Sequence, residues 1–177
     1  QAWEAENGGR ALPPPFWAFA WAGGQALARY VIDNPAIVRG KSVMDVASGS
    51  GLVAIAAMKA GAASTLAIDI DAFASHAAIL NAELNSVRVE TSGADPVGKP
   101  TDADVILVGD LFYERQLADR VLAYIEAAAK ARALILIGDP KRSYFPAGKF
   151  TLAAEYQVPV TRELEDAEIK RTSVWRL

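Results

Sequence analysis

The sequence predicts an α/β fold in which a mostly parallel sheet carries helices on both faces and is closed at its C-terminal end by an antiparallel hairpin. Three apolar, β-branched runs each end in an acidic residue and are followed by a loop and a helical pattern. Further apolar runs lie between and after these units, and the last two are joined without a helical pattern. Near-continuous apolar strands that alternate with helices are typical of a parallel sheet covered on both faces.

The N-terminal region precedes this alternation. Residues 1–15 are polar and end in three consecutive prolines, which predicts an extended arm. A helix is expected from about Gly23 to Asp33, because the residue before Pro35 is pushed out of the helical region. We interpret residues 16–40 as a helical lid on a single domain that covers residues 1–177.

The elements of the sheet follow in order. The three strand–loop–helix units are predicted at 41–60, 64–85 and 104–130, with strands over 41–47, 64–70 and 104–110. The third helix is expected to begin near Glu114. Additional strands are predicted over 87–91, 133–138, 151–158 and 169–177. The acidic segment 162–168 joins the last two strands, and we expect no helix in it.

Composition narrows the classes of function. The 177 residues, 52% of them hydrophobic, fit one core, and the apolar runs are shorter than the ~20 residues of a membrane span, so we expect a soluble protein. A net charge of −3 without a basic stripe argues against nucleic acid. With no cysteine and one histidine, we expect no disulfide and no metal site. We expect a monomer in the cytoplasm, or in the mitochondrial matrix if a targeting segment was removed.

A glycine-rich loop marks the predicted ligand site. The segment Asp45-Val-Ala-Ser-Gly49-Ser-Gly51 lies between a predicted strand and a predicted helix, where glycines allow a tight turn and the helix N-terminus offers unpaired N–H groups. Asp69 ends the next strand, 18 residues after Gly51. A carboxylate at that position accepts hydrogen bonds from the ribose hydroxyls of an adenosine.

Three interpretations of this loop are possible: a site for S-adenosylmethionine, a site for a dinucleotide, or a turn that binds no ligand. Gly49-x-Gly51-x-x-Ala54 also fits the permissive dinucleotide fingerprint, and such a pattern arises by chance in chains rich in glycine and alanine. Two features favour S-adenosylmethionine. Asp45 precedes the loop, where it would attract the amino group of a methionine moiety and repel a pyrophosphate. A helix also precedes the first strand, which a minimal dinucleotide domain lacks.

Several segments together resemble one enzyme family, the lysine methyltransferases of the electron-transfer flavoprotein β subunit. The resemblance covers the chain from about residue 15 to the end, and a broader group of seven-stranded lysine methyltransferases shares the acid-x-x-Tyr pattern found here as Asp110-Leu-Phe-Tyr113. The segments that carry it are 15–21, 23–30, 33–35, 39–42, 109–113, 137–140 and 173–175. The pattern Asp69-Ile-Asp71 is also shared with ribosomal protein methyltransferases.

The resemblance implies a Rossmann-like seven-stranded sheet, S-adenosylmethionine as cofactor, and a flavoprotein β subunit as protein substrate. We assign the cofactor site to Trp21, Asp45, Ser48, Gly49, Gly51, Asp69, Ile70 and Ala94. Ala47 departs from the family pattern, because it replaces the first glycine of the loop. Since alanine tolerates strand dihedrals, we expect binding to survive in a slightly tighter pocket.

The resemblance also implies that Asp110 and Tyr113 are catalytic. At the carboxyl end of its strand, Asp110 would bind and orient the lysine ammonium in an acidic mouth, while the Tyr113 ring would stabilise the cation. The structural alternative makes Asp110 a helix cap and Tyr113 a packing residue.

Three further residues are candidates with weaker support. If the segment is helical, Trp17 and Trp21 lie one turn apart, either lining the lysine channel and the cofactor or fastening the N-terminal helix to the sheet. Glu114 would assist substrate binding, although an acid in the first turn of a helix is common. His76 is assigned no role.

Three classes of function therefore remain open. The favoured one is a protein-lysine methyltransferase. A second is an enzyme acting on a small amine or another protein, or a dehydrogenase on a related fold. The third is a non-catalytic module that binds the cofactor or the flavoprotein.

Overall fold

A seven-stranded sheet forms the centre of the molecule in the computed structural model, which describes residues 14–165 and 167–177. The strands lie in the order β3-β2-β1-β4-β5-β7-β6. The first five are parallel, and β7 runs antiparallel to both β5 and β6. This confirms the predicted fold class. The strands are β1 Ser42–Val46, β2 Ser64–Ile68, β3 Glu90–Ser92, β4 Val105–Gly109, β5 Leu134–Asp139, β6 Thr151–Pro159 and β7 Ile169–Arg176.

Helices cover both faces of this sheet. Along β4, Val105 and Leu107 pack with α1 and α2 on one face, whereas Ile106 and Val108 pack with α4 on the other. None of the helices in the described ranges is long and apolar enough to cross a membrane. The α-helices are α1 Ala22–Asp33, α2 Leu52–Lys59, α3 Ala72–Leu84, α4 Arg115–Lys130 and α5 Arg162–Glu165, and short 3₁₀ helices lie at Phe16–Ala18, Pro35–Ile37 and Ala147–Lys149.

The structure differs from the sequence-based expectations at two elements. A short helix, α5, lies between β6 and β7, where we expected none. Strand β3 begins three residues later than predicted, because the chain from Ser86 is used to end α3: Ser86 has a φ of 57° and the Val87 N–H bonds to the Ala82 carbonyl. Residues 1–13, predicted to be an extended arm, lie outside the described residues.

Helix α1 approaches the sheet closely enough for backbone to meet backbone. A Cβ atom added to Gly23 would overlap the carbonyl oxygen of Gly138 at the end of β5, and one added to Gly138 would overlap the carbonyl of Gly23. Gly109, at the end of β4, faces the Cα of Gly24. The N-terminus of α1 is therefore fixed directly above the carboxyl ends of β4 and β5.

Candidate active site

A cavity of about 760 Å³ opens at the carboxyl ends of the parallel strands. Its wall is made by the residues that follow β1, β2, β4 and β5 and by the segment that precedes α1. It lies beside the junction of β1 and β4, where the strand order reverses, which is where open α/β sheets bind ligands. Its volume falls within the range of about 300–1,000 Å³ that is typical of small-molecule sites.

The loop after β1 forms the floor of this cavity. Gly49 and Gly51 have φ values of 52° and 87°, so both use the left-handed conformation that glycine adopts most readily. Ser48 and Gly49 line the cavity. Gly51 instead begins α2, and a Cβ there would lie 2.9 Å from the Cβ of Ala78 on α3. Its role is close packing of the loop against α3.

Ala47 lies in the same loop with a φ of 55°, so the expectation of strand dihedrals is wrong. The chain turns at this position, and a Cβ in the left-handed region is strained by about 1–2 kcal/mol. The conformation at the position that carries glycine in the family pattern therefore favours glycine, and this chain adopts it with alanine at a cost in strain.

Ala47→Gly is expected to raise the free energy of unfolding by about 1 kcal/mol, because it relieves this strain at some cost in chain entropy. Urea denaturation measures the change. Ala123→Gly on the exposed face of α4 is the control, and it should lower stability by about 1 kcal/mol. A loss of stability in both variants would contradict the assigned strain.

Asp45 is fully buried beneath the loop and also contributes to the cavity wall. Its Oδ2 accepts a 2.9 Å hydrogen bond from the N–H of Ala54 in the first turn of α2. Burial raises the pKa of Asp45 to about 7, against the effect of that hydrogen bond. The carboxyl thus anchors α2 while presenting an acid to the cavity.

Asp69 follows β2 and holds the loop from the other side. Its Oδ2 accepts a hydrogen bond from the N–H of Gly49 at 2.9 Å, and its Oδ1 accepts one from the N–H of Asp71 at 2.9 Å. Each carboxylate oxygen keeps one further lone-pair site for a ligand hydroxyl. The exposed Ile70 lies beside it in the cavity wall, whereas Ala94 lies outside the wall and its neighbours Asp95–Val97 contribute instead.

Asp69→Ala is expected to weaken binding of S-adenosylmethionine and its demethylated product by about 1.5–3 kcal/mol, because it removes charge-assisted hydrogen bonds to the ribose and frees the Gly49 N–H. Calorimetric titration measures this loss, with Asp119→Ala on exposed α4 as the control. We expect no saturable binding of NAD. Saturable NAD binding without any response to S-adenosylhomocysteine would contradict the assignment.

Asp110 directly follows β4 in a strained and buried position. Its φ is 58°, in the left-handed region. Its Oδ2 accepts a 2.8 Å hydrogen bond from the N–H of Gly24 in the first turn of α1, and its Oδ1 accepts hydrogen bonds from Arg142 Nε at 3.0 Å and Nη2 at 2.6 Å. Burial raises the pKa of Asp110, and the charge of Arg142 opposes this effect. Asp110 therefore caps α1 rather than the helix that follows it, and it is already paired with a cation.

The turn from Asp110 to Tyr113 directs the side chain of Phe112 into the core and that of Tyr113 to the cavity. Phe112 is fully buried and packs against Phe145 with ring centroids 5.3 Å apart. The Phe112 carbonyl accepts a hydrogen bond from the N–H of Tyr144 at 3.0 Å. With Phe112 anchored in the core, Tyr113 is 54% exposed and lines the cavity. Partial burial raises the pKa of Tyr113, so its hydroxyl stays protonated near neutral pH.

Trp17 and Trp21 both line the cavity, but they do not share a helical turn. The 3₁₀ helix ends at Ala18, and Trp21 is extended at the N-cap of α1. The Trp17 ring stacks on Phe73 of α3 with centroids 6.4 Å apart. The indole N–H of Trp21 donates to the Phe16 carbonyl at 2.8 Å.

The last candidate, Glu114, and the unassigned His76 are not part of the cavity wall. Glu114 is exposed at the start of α4. His76 is exposed on α3, with Nδ1 2.8 Å from the Ala72 carbonyl oxygen. Neither side chain forms a described hydrogen bond or ion pair with Asp110 or Asp69.

Sequence reasoning missed the ion-pair chain beside Asp110. Arg142 Nη2 lies 2.9 Å from Glu165 Oε1, and Glu165 Oε2 lies 2.5 Å from Lys170 Nζ. The Arg142 N–H donates to Asp139 Oδ1 at 2.7 Å. Two segments singled out from the sequence lie next to these residues or contain them: 137–140, which belongs to the resemblance, and the acidic segment 162–168, which contains Glu165. Neither indicates a pairing with Asp110.

Comparison with known proteins places this geometry in context. Residues 26–129 match the family model described as ribosomal protein L11 methyltransferase. The chain is 37% identical over 172 residues to the electron transfer flavoprotein beta subunit lysine methyltransferase of Danio rerio, covering 93% of this chain and 67% of that protein. Identity to the Homo sapiens protein of the same name is 38% over 168 residues, covering 91% and 64%. The chain thus spans about two thirds of the length of these relatives.

Solved structures share the fold. A ribosomal protein L11 methylase from Lactobacillus delbrueckii subsp. bulgaricus superposes with a TM-score of 0.61 at 23% identity, covering 89% of this chain and 80% of that one. Magnesium protoporphyrin IX methyltransferase from Synechocystis PCC 6803, solved with bound S-adenosylmethionine, gives a TM-score of 0.62 at 16% identity, covering 98% and 88%. At these identities the likeness establishes the fold alone.

Proposed function

The chain belongs to the family of the electron transfer flavoprotein beta subunit lysine methyltransferases, and on this basis we propose that it methylates lysine side chains of that flavoprotein subunit with S-adenosylmethionine. The observation that carries the proposal is that one cavity joins the loop held by Asp69 to the turn that presents Asp110 and Tyr113. The residues proposed for adenosine and those proposed for an amine thus line the same space.

The residues around the loop fit S-adenosylmethionine. Asp69 would hold the ribose hydroxyls, and Asp45 would meet the amino group of the methionine moiety. When bound, the cofactor supplies a methyl group activated by a sulfonium. The loop and both carboxyl groups are ordered by hydrogen bonds within the chain, so little reorganisation is needed on binding.

The protein's task at the other end of the cavity is to present a neutral amine. A lysine with a pKa near 10.4 is neutral in about one molecule in a thousand at neutral pH, which costs roughly 4 kcal/mol. The described cavity wall holds five aspartates against two arginines, which agrees with the expected acidic mouth. Asp110, however, is already paired with the guanidinium of Arg142. It would therefore hold a lysine ammonium less strongly than a free carboxylate would, and burial of the amine would favour loss of its proton.

The surface around the opening favours a protein substrate over a small amine. Four large exposed apolar residues line the cavity: Ile70, Phe16, Tyr113 and Leu52, with 78%, 56%, 54% and 39% exposure. Phe73, 64% exposed, extends this rim through its stack on Trp17. Exposed aromatic and aliphatic side chains gathered at one opening are typical of protein interfaces.

Intact-mass analysis of recombinant flavoprotein β subunit after incubation with enzyme and S-adenosylmethionine tests the proposal. We expect mass increments of one or more methyl groups, located on lysine, and none when S-adenosylhomocysteine is in excess. Ribosomal protein L11 is the alternative substrate that the family model favours, and it is assayed in parallel. Methylation of that protein alone, or of small amines alone, would overturn the proposal.

A further inference from the structure

We infer that Arg142 is a positioning residue for methyl transfer, because its guanidinium fixes the Asp110 carboxylate and the Trp21 ring at the mouth where the amine enters. The inference rests on the proposed function. Arg142 follows β5, and it forms no described hydrogen bond with the glycine loop or with Asp69.

The guanidinium of Arg142 contacts three groups of the cavity mouth. Its Nε and Nη2 donate to Asp110 Oδ1 at 3.0 and 2.6 Å, and Nη2 also donates to Glu165 Oε1 at 2.9 Å. Its central carbon lies 5.5 Å from the centre of the Trp21 ring. The side chain is only 17% exposed and forms part of the cavity wall. One planar group thus sets the relative positions of an acid and an aromatic ring that both face the ligand space.

The groups that hold Arg142 are themselves fixed. Its backbone N–H donates to the fully buried Asp139 at 2.7 Å, and Lys141 before it has a φ of 66°. Glu165, also buried, is paired with Lys170 on β7. Because Asp139 belongs to β5 and Lys170 to β7, these contacts connect Arg142 to the sheet at two points, and Arg142 is held in place before any ligand binds.

The charges around Asp110 explain why the cation matters for chemistry. Asp110 faces one cation, Arg142, and two acids, Glu165 and Asp139. Without the guanidinium, the Gly24 N–H would be the one hydrogen-bond donor left to the Asp110 carboxylate among the described residues, in a buried setting beside two acids. Burial and like charges both favour protonation of a carboxylate. A protonated Asp110 carries no negative charge and cannot take a further proton from the amine, although its carbonyl oxygen still accepts hydrogen bonds. We therefore expect the loss in turnover and not in cofactor binding.

Chemical rescue of Arg142→Ala tests this inference. We expect turnover on the flavoprotein subunit to fall about 100-fold, with little change in S-adenosylhomocysteine affinity. The open cavity admits small solutes, so millimolar guanidinium should restore the rate by about tenfold or more, whereas urea and sodium chloride should not. Arg142→Lys keeps the charge without the planar fork, and its rate should lie between those of the wild type and Arg142→Ala.

Arg29→Ala is the matched control, because Arg29 pairs with Asp33 at 2.7 Å on the exposed surface of α1. It should keep its turnover and show no response to guanidinium. A rate loss in Arg142→Ala that accompanies a lower melting temperature and is not restored by guanidinium would overturn the inference. Faster turnover in Arg142→Ala would also overturn it, because Arg142 would then hinder the reaction. If wild-type enzyme fails to methylate the subunit, the proposed function fails, but guanidinium should still raise the melting temperature of Arg142→Ala and not that of the wild type.

Discussion

Asp110→Asn is expected to slow methyl transfer at least about 100-fold, a loss of about 2.7 kcal/mol in transition-state stabilisation, while cofactor affinity changes little. Asparagine keeps the size of the side chain and tolerates the left-handed backbone found at this position. It removes the charge that pairs with Arg142 and the basic carboxylate oxygen that would receive the amine's proton. The glycine loop and Asp69 are untouched, so adenosine binding should persist.

Single-turnover kinetics, cofactor titration and melting temperature together separate this effect from a loss of folding. Removing one partner of a buried pair also destabilises a protein, so Glu165→Gln serves as the control. It weakens the other contact of Arg142 but leaves the Asp110 pair intact, and we expect a comparable stability loss with a smaller rate loss. Near-normal turnover in Asp110→Asn would end the assignment of this turn as the active site.

Tyr113 variants separate the contribution of the aromatic ring to methyl transfer from that of the hydroxyl group. Tyr113→Phe keeps the aromatic face and should slow methyl transfer less than Tyr113→Ala, which removes both ring and hydroxyl. Because Tyr113 is half exposed and outside the core, neither change should alter the melting temperature strongly.

Gly23→Ala is expected to lower the free energy of unfolding by about 3 kcal/mol, because its Cβ would overlap the Gly138 carbonyl and neither backbone can shift alone. The same Cβ would lie 2.5 Å from Asp110 Oδ2, so the residual folded protein should also lose activity. Urea unfolding, followed by circular dichroism, measures the stability change.

The adjacent residue supplies the control. A Cβ on Gly24 would meet only Val53 Cγ2, at 3.9 Å, which is an ordinary contact. Gly24→Ala should therefore be neutral or stabilise α1 by up to about 1 kcal/mol through its better helix propensity. Equal effects of the two substitutions would show that the contact between Gly23 and Gly138 does not set the position of α1.

The fold was predictable because its signals are local. Strands such as β4 are continuous apolar runs, and helices α1 and α4 have periodic apolar patterns, so these elements can be recognised without reference to their neighbours. The four-residue helix α5 is too short to show a period, and it was missed. Its position depends on the inward-facing Glu165, whose partners lie on other elements.

The site was predictable only where a motif carries its own chemistry. Asp69 and Gly49 were found from spacing along one chain segment, and the structure brings them together at 2.9 Å. The pairing of Asp110 with Arg142 joins residues 32 positions apart, and no local pattern indicates it. The left-handed backbone of Ala47 was missed for a similar reason, since the residue type itself favours another conformation.

The most direct test of the central claim is the fate of a labelled methyl group. Enzyme and S-adenosylmethionine labelled in that methyl are added to an extract of cells that lack this protein, and the labelled products are separated and identified by mass spectrometry. We predict label on lysine side chains of the flavoprotein β subunit, with none added by Asp110→Asn. Label confined to RNA, to small amines or to a different protein would contradict the account.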